Sequence, residues 1–229
     1  MADIAIAGLV ELGLTDYRAT YDMQVALVDK RKKAGGDFFL VTEHPSVFTL
    51  GRRGGRENLI VSEQFLLEKG VSVVQIERGG DITYHGEGQL VLYPILHLRQ
   101  AGLTVTEYVH LLEELMIRLA ADFGVVAARD SRNHGVWVGD KKLGSVGIAI
   151  RHGISFHGLA LNVNLSLEPF TWVNPCGLTG VQMTTISRQC RKEVTLPMVK
   201  ENLHSHLSEL FDCEFIDYQK DQLDVAMCK

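Results

Sequence analysis

A single cysteine stands between a proline and a glycine in the stretch NPCGL, so its backbone is constrained on both sides. Cys176 follows Pro175 and precedes Gly177, and the nearest other cysteine is Cys190. Proline restricts the backbone before the cysteine, whereas glycine permits unusual conformations after it. Loops carry chemistry more often than their share of the sequence, although most free cysteines are small buried apolar residues. The pattern leaves a nucleophilic thiol and a buried structural thiol as alternatives.

The second candidate is a lysine near the beginning of a predicted strand. Lys142 follows Lys141 just after the two-residue turn Gly139-Asp140. It is in phase with the apolar alternation of the strand, which comprises Val146, Ile148 and Ile150. This phase predicts Lys142 on the apolar side and Lys141 in solvent. A lysine on an apolar face needs a partner or a chemical role, unless it snorkels from the edge of the sheet.

A cysteine paired with a lysine is suited to acyl transfer. An unperturbed thiol has a pKa of about 8.5, and a neighbouring ammonium group lowers that pKa by favouring the thiolate. The lysine can accept the thiol proton and later return a proton to a leaving thiol. From the residues alone we therefore expect acyl transfer through a cysteine thioester, with Cys176 as nucleophile and Lys142 as acid and base.

The third candidate is a glycine-rich segment, RGGDITYHGEGQLVLYP, at residues 78–94. Its glycines let backbone N–H groups approach a ligand closely, and Arg78 could hold an anionic or carbonyl group. The segment is neither a P-loop nor a dinucleotide fingerprint, because it lacks the lysine motif and leads into a strand. A plain turn with a hydrogen-bonded His85 explains the same residues equally well.

Apolar periodicity and turn signals place these candidates in an α+β fold. Helices are predicted at 15–33, at 105–123 with a capping box of Thr104 and Glu107, and as one last helix after Thr195. Strands are predicted at 37–43, 46–51, 71–77, 89–98, 136–138, 142–150 and 154–164. With no linker-like break, we expect a single domain over 1–229, in which helices flank a mixed, mainly antiparallel sheet.

The composition is that of an ordinary globular protein, with 46% hydrophobic and 22% charged residues and a net charge of -5. Nothing in this balance indicates nucleic-acid binding, and no apolar run approaches the roughly 18 residues of a membrane span. The four cysteines have neither a disulfide-framework spacing nor a zinc-site spacing, so we expect no metal. The first residues lack a signal or transit pattern, which predicts a cytoplasmic protein with reduced thiols.

Taken together, the segments closely resemble the lipoate-protein ligase B family, the octanoyltransferases of protein lipoylation. The resemblance covers about residues 43–180 and is carried by EHPSVFTLGRRG, RGGDITYHGEGQLVLYP, KKLGSVGIAI, SFHGLALNVN and NPCGL. It implies the fold of the catalytic modules of lipoate and biotin protein ligases. It also implies transfer of an octanoyl group from octanoyl-acyl carrier protein to a lysine of lipoyl domains. Those domains belong to the E2 subunits of 2-oxoacid dehydrogenases and the glycine-cleavage H protein.

The resemblance also implies roles for individual residues. Cys176 would carry the acyl thioester, and Lys142 would lower the pKa of its thiol and act as acid and base. The acyl site would be lined by Arg78, Gly79, Gly80, Asp81, Ile82, Thr83, Tyr84 and His85, by Ser145, Val146 and Gly147, and by Gly158, Leu159 and Ala160. No cofactor is expected, because a thioester donor makes ATP unnecessary. His85 and His157 could orient Lys142, assist at the acyl carbonyl, or be structural.

One departure from the family and several alternatives complete these expectations. Glu87 stands where the family usually has proline, which affects the shape of the loop and removes no catalytic group. The arginines of LGRRGGREN could dock an acidic carrier protein or simply form a solvated loop; they are Arg52, Arg53 and Arg56.

An ATP-dependent lipoate or biotin-type ligase needs no nucleophilic cysteine, so Cys176 argues against it. A non-catalytic lipoyl-domain-binding module needs neither Cys176 nor Lys142, and only the acceptor separates a thioester hydrolase from a transferase.

Overall fold

A large β-sheet with helices on both faces dominates the computed structural model, which describes residues 5–174, 181–219 and 222–223. The strands are β1 (Ala5–Leu14), β2 (Asp37–Glu43), β3 (Val47–Leu50), β4 (Ser72–Gln75), β5 (Ile82–His85), β6 (Gln89–Ile95), β7 (Ala128–Arg129), β8 (Gly135–Val138), β9 (Lys141–Arg151), β10 (Ile154–Asn162), β11 (Gln182–Met183) and β12 (Cys213–Tyr218). The helices are α1 (Tyr17–Ala34), α2 (Glu63–Glu68), α3 (Val105–Ala121), α4 (Ile186–Cys190), α5 (Leu196–Lys200) and α6 (Leu203–Phe211). Two short 3-10 helices span Arg56–Asn58 and Glu168–Trp172.

Within these residues the strands form two sheets. The large sheet has the order β12-β1-β2-β6-β10-β9-β8-β7, with β11 added beside β9. β12, β1 and β2 are parallel, and every pairing from β2 to β7 along this order is antiparallel. The small sheet has the order β4-β3-β5. The predicted α+β class with a mixed, mainly antiparallel sheet is therefore confirmed.

Both faces of the large sheet are buried, and the alternation of β2 shows how. Phe38 and Leu40 pack on the side of α1, whereas Phe39 and Val41 pack on the side of α3 and α6. Successive side chains of a strand point to opposite faces, so a strand covered on both sides reads as a continuous apolar run. The same reasoning applies to β6, which is buried along its whole length.

The helix predictions hold where the signals are local. The capping box at the start of α3 is confirmed, because Thr104 Oγ1 accepts a hydrogen bond from Glu107 N and Glu107 Oε2 accepts one from Thr104 N. The single helix predicted after Thr195 is wrong: the chain forms α5 and α6 with a break at 201–202. Of the helices in the described ranges, none is long and apolar enough to cross a membrane.

The small sheet has its own apolar core and is joined to β9. Phe48, Ile82 and Tyr84 of this sheet pack with residues of α2 and of the 3-10 helix Glu168–Trp172. Gly79 N donates a hydrogen bond of 2.8 Å to Ile148 O, which ties the turn before β5 to the large sheet. The glycine-rich segment therefore lies beside β9, the strand that contains the motif KKLGSVG.

Candidate active site

A cavity at the junction of the two sheets brings together most of the predicted site residues. The predicted residues that line it are Arg78, Gly79, Gly80, Asp81, Thr83, His85, Lys142, Ser145, Val146, Gly147, His157, Gly158, Leu159 and Ala160. Three further lining residues were not predicted, namely Tyr17, Tyr93 and Asn133. Three motifs that are far apart in the sequence thus form one wall.

Ile82 and Tyr84 do not line this cavity. Residues 82–85 form β5, so their side chains alternate between two faces. Thr83 and His85 face the cavity, whereas Ile82 and Tyr84 are 0% and 4% exposed in the core of the small sheet. Of residues 82–85, the structure therefore places Thr83 and His85 in the cavity wall and Ile82 and Tyr84 in the core of the small sheet.

The motif cysteine lies outside the described residues, together with the rest of the segment 175–180. The residues on either side of that segment are described. Asn174 N donates a hydrogen bond of 2.9 Å to Asn58 O, and the Asn58 amide donates to both carboxylate oxygens of Asp81 in the cavity wall. On the other side, Met183 of β11 pairs with Lys142 of β9. Asn174 and Met183, which flank the segment, are therefore both linked to residues of the cavity wall.

Lys142 is almost completely buried, at 1% exposure, and its amine has defined neighbours. Lys142 Nζ donates a hydrogen bond of 3.2 Å to Asn133 Oδ1 and lies 5.4 Å from the centroid of the Trp137 ring. Lys141, which is next to it, is partly exposed. A buried ammonium group requires such partners, because desolvation of an unpaired charge is very costly.

The predicted burial of Lys142 is correct, but the alternation argument behind it was wrong. Between β8 and β9, Val136 is opposite Gly144 and Trp137 is opposite Lys142, so Leu143 is an extra residue that forms a β-bulge. Leu143 packs on the α3 side with the three apolar residues of the predicted alternation. Lys142 consequently faces the other side of the sheet, where the cavity lies.

Arg78 and His85 belong to one buried hydrogen-bond network. Arg78 Nη2 donates to Thr49 O at 2.6 Å and to Thr49 Oγ1 at 2.9 Å, which ties the glycine-rich turn to β3. Burial, reinforced by the nearby His44, lowers the pKa of His85 to about 3, so the ring is neutral. Its Nδ1 then donates to Gln89 Oε1 at 2.7 Å. These bonds fix the orientation of His85 in the cavity wall.

A second network, which the sequence did not predict, holds Tyr93. His44 Nδ1 lies 2.7 Å from Thr15 O, and His44 Nε2 lies 2.8 Å from Tyr93 Oη. Burial lowers the pKa of His44 to about 4, so the neutral ring donates from Nδ1 and accepts from the Tyr93 hydroxyl. Tyr17 stacks on His85 with ring centroids 5.8 Å apart. His44 lies in EHPSVFTLGRRG and Tyr93 in RGGDITYHGEGQLVLYP, so the segments that carry the family resemblance were a signal for both, whereas Tyr17 had none.

His157 differs from the other two buried histidines. It adopts a φ of 55°, and its ring stacks with Tyr21 and with Phe156. Neither ring nitrogen has a hydrogen-bond partner within the described residues, and Glu77 Oε2 is 3.9 Å from Nε2. Burial, followed by the positive charge of Arg78, lowers the pKa of His157 to about 3. A neutral imidazole whose two nitrogens have no hydrogen-bond partner among the described residues therefore lies in the cavity wall.

Close packing explains two of the predicted glycines. A Cβ atom at Gly158 would collide with the carbonyl oxygen of Leu92 on β6. A Cβ atom at Gly147 would lie 3.0 Å from Arg78 Cδ. Both glycines let neighbouring chain segments approach the cavity wall.

Among the described residues, no group of three or more His, Cys, Asp or Glu side chains could hold a metal ion.

Known proteins are similar to this chain over almost its whole length. Residues 16–208 match the family model described as the lipoyl protein ligase A/B catalytic domain. A relative from Desulfotalea psychrophila called octanoyltransferase is 58% identical over 207 residues, which cover 89% of this chain and 93% of the relative. An octanoyltransferase from Syntrophobacter fumaroxidans is 47% identical over 207 residues, covering 90% and 91% of the two chains.

Solved structures share the fold at low sequence identity. Lipoate-protein ligase A bound with ATP superposes with a TM-score of 0.76 at 15% identity, covering 96% of this chain and 92% of that chain. A biotin protein ligase from Leishmania major superposes with a TM-score of 0.52 at 14% identity, covering 98% and 80%. These two likenesses concern the fold alone. The match of the family model and the two close relatives show that this chain belongs to the lipoyl protein ligase A/B catalytic-domain family.

Proposed function

We propose that this chain is an octanoyltransferase, which moves an octanoyl group from octanoyl-acyl carrier protein to a lysine of a lipoyl domain through a thioester on Cys176. Two relatives called octanoyltransferase, at 58% and 47% identity, support this activity. The observation that carries the mechanism is the buried amine of Lys142 in the cavity wall. The acceptors in this proposal are the E2 subunits of 2-oxoacid dehydrogenases and the glycine-cleavage H protein. It requires no cofactor.

The contacts of Asn174 and Met183, which flank the segment 175–180, support our proposal that Cys176 lies at this cavity. Cys176 is two residues from Asn174, which spans about 7 Å in extended chain. Asn174 is linked through Asn58 to Asp81 of the cavity wall, and Met183 pairs with Lys142 itself. The thiol and the amine are thus held near the same opening in our proposal.

The first half-reaction is a thioester exchange. The thiolate of Cys176 attacks the carbonyl carbon of the octanoyl thioester, and the carbon–sulfur bond to the carrier breaks. The ammonium group of Lys142 favours the thiolate and donates a proton to the departing carrier thiol. One thioester replaces another, so no additional energy source is required.

The second half-reaction forms an amide. The neutral amine of the lipoyl-domain lysine attacks the Cys176 thioester, the new carbon–nitrogen bond forms, and the bond to sulfur breaks. Lys142, now neutral, accepts the proton that the attacking nitrogen loses, and the Cys176 thiolate is restored. Asn133 and Trp137 position the Lys142 amine for both steps, since they contact Nζ within the wall.

The alternative is an ATP-dependent ligase of the same fold. The likeness to lipoate-protein ligase A bound with ATP, at 15% identity, concerns the fold. A ligase would activate a free acid and would not need the cysteine. The cysteine of the NPCGL motif therefore favours the transferase.

Intact mass spectrometry tests the proposal directly. We expect wild-type protein mixed with octanoyl-acyl carrier protein to gain one octanoyl group and to lose it when a lipoyl domain is added. Cys176→Ala should gain none, and Cys190→Ala, at the nearest other cysteine, should behave as the wild type. Transfer that requires ATP and free octanoate, and that persists in Cys176→Ala, would favour the ligase.

Docking of the donor requires positive charge near the cavity. Three exposed arginines precede or begin the 3-10 helix Arg56–Asn58 and form what we call the arginine patch: Arg52, Arg53 and Arg56. Backbone bonds from 52 and 53 to the carbonyls of Arg78 and Gly80 hold this patch against the glycine-rich turn. We propose that the arginine patch attracts the acidic carrier protein, because opposite charges steer association.

A further inference from the structure

The guanidinium group of Arg132 lies over the aromatic ring that is next to the Lys142 amine. The Arg132 guanidinium carbon is 4.0 Å from the centroid of the Trp137 ring, and Lys142 Nζ is 5.4 Å from the same centroid. Both distances are within the range of a cation–π contact. The Arg132 side chain is 41% exposed, whereas Trp137 and Lys142 are 2% and 1% exposed. The ring therefore connects a partly exposed arginine with a buried amine.

An ion pair within the loop before β8 fixes the position of this guanidinium group. Arg132 Nε donates to Asp130 Oδ1 at 2.8 Å, and Arg132 Nη2 donates to Asp130 Oδ2 at 2.9 Å. These side-chain bonds, followed by the bond from Arg132 N, lower the pKa of Asp130 to about 2, so its carboxylate is ionised at neutral pH. A bidentate pair holds the plane of the guanidinium group. The carboxylate also offsets the charge of this second cation beside the ring.

The residue after Arg132 makes the contact to Lys142. Asn133 Oδ1 accepts the hydrogen bond of 3.2 Å from Lys142 Nζ, and Asn133 O lies 3.5 Å from Trp137 Nε1. Asn133 lines both the cavity and an adjacent polar cleft, whereas Arg132 lines the cleft and not the cavity. Trp137 is also opposite Lys142 in the pairing of β8 with β9. The loop, the ring and the amine are thus linked in one set of contacts, and Arg132 holds its outer side.

We infer that Arg132 is a positioning residue for the transfer reaction. Paired with Asp130, it holds Trp137 and Asn133 where they orient the Lys142 amine, and it acts through them rather than on a substrate. An exposed ion pair contributes little to stability, so loss of this pair should leave the fold intact. Proton transfer, in contrast, requires its heavy atoms within about 2.6–3.2 Å, and a displacement of about 1 Å can lower the rate strongly. Loss of Arg132 should therefore slow turnover.

This inference rests on the proposed function, and the kinetics of transfer from octanoyl-acyl carrier protein to a lipoyl domain test the two separately. We expect Arg132→Gln to lower kcat about tenfold, with the KM for the donor and the midpoint of urea unfolding unchanged. Arg132→Lys keeps the charge but not the planar group, so its kcat should stay low. Arg118→Gln is the matched control and should behave as the wild type. The Arg118 side chain is 35% exposed and pairs with two glutamates that do not line the cavity.

A double substitution shows whether Arg132 acts through Asn133. If both residues orient the same amine, Arg132→Gln combined with Asn133→Ala should lower kcat little more than Asn133→Ala alone. Two losses that multiply would mean that the residues act independently, which would contradict the inference.

The remaining outcomes decide different points. Absence of octanoyl transfer by the wild type overturns the proposed function and the inference with it. Wild-type transfer with an unchanged kcat in Arg132→Gln overturns the inference alone, as does an equal loss in Arg118→Gln. A raised KM that Arg132→Lys restores would assign Arg132 to docking of the donor instead. If Arg132→Gln does not fold, Asp130→Asn removes the charged partner and must lower kcat by about threefold for the inference to stand.

Discussion

Three buried histidines make the folded chain sensitive to mild acid. The pKa values of His85 and His157 are lowered to about 3 and that of His44 to about 4, in each case mainly by burial. In the unfolded chain a histidine has a pKa of about 6.5. Below that pH the unfolded chain binds three protons that the folded chain does not, so stability falls as the pH falls. The stability that the three neutral histidines contribute is fully present above about pH 6.5. It is lost progressively as the pH falls towards the pKa values of the folded state.

The size of this loss of stability depends on how far the pH lies below about 6.5, the pKa of histidine in the unfolded chain. Each buried histidine destabilises the fold by about 1.4 kcal/mol per pH unit below 6.5, so the three together cost about 4 kcal/mol at pH 5.5. A typical domain is stable by about 5–15 kcal/mol, so the loss is a large fraction of the total. Carboxylates titrate mostly below about pH 4.5, which leaves the range from 6.5 to 5 to the histidines.

Urea unfolding followed by circular dichroism between pH 7.5 and 5.5, at constant ionic strength, measures this slope. His157→Asn removes one buried imidazole and keeps a residue that tolerates positive φ, so the slope should fall by about one third. His110→Gln should leave it unchanged, because His110 lies on an exposed part of α3. A wild-type free energy of unfolding that changes by less than about 1 kcal/mol from pH 6.5 to 5.5 would refute the reasoning.

Four further predictions concern the site. Lys142→Met should lower kcat/KM for octanoyl transfer by about a hundredfold or more, since it removes the acid and base; an active variant would assign that role elsewhere. Asn133→Ala should lower the same parameter about tenfold, because the Lys142 amine loses a charged hydrogen bond, and an unchanged rate would show that Asn133 does not position it. Gly158→Ala should lower the free energy of unfolding by about 2 kcal/mol or more, because its Cβ meets Leu92 O, whereas the less crowded Gly79→Ala should cost less. Replacing the arginine patch with glutamates should raise the KM for the carrier-protein donor in a salt-dependent way, and unchanged kinetics would contradict a docking role.

Local signals were sufficient for the elements that carry the motifs. The capping box of Thr104 and Glu107, the turn Gly139-Asp140 and the glycine-rich segment each specify structure within a few residues, and each lies in or beside a predicted element. Periodicity failed where one residue changed the pattern. The bulge at Leu143 reversed the face of Lys142, and the break at 201–202 divided the last predicted helix.

Residues that depend on long-range topology could not be predicted. Asn133 precedes β8 in an ordinary polar loop, and only the pairing of β8 with β9 brings it to Lys142. Tyr17 begins α1 and Tyr93 lies in a buried strand, so both read as core residues. β1 and β12 were missed because β1 has no clean alternation of burial and its partner lies at the other end of the chain.

The parallel pairing of β1 with β12 has a consequence for synthesis of the protein. Ala5 is paired with Cys213, more than 200 residues later. On the ribosome β1 is therefore made about 200 residues before β12, and one of its edges stays without this partner until β12 has emerged. An unpaired strand edge is a template for pairing with other chains, and long-range parallel pairing is slow. Nascent chains of this protein thus depend on protection of the β1 edge until β12 has been made, and a stop codon before β12 would make that exposure permanent.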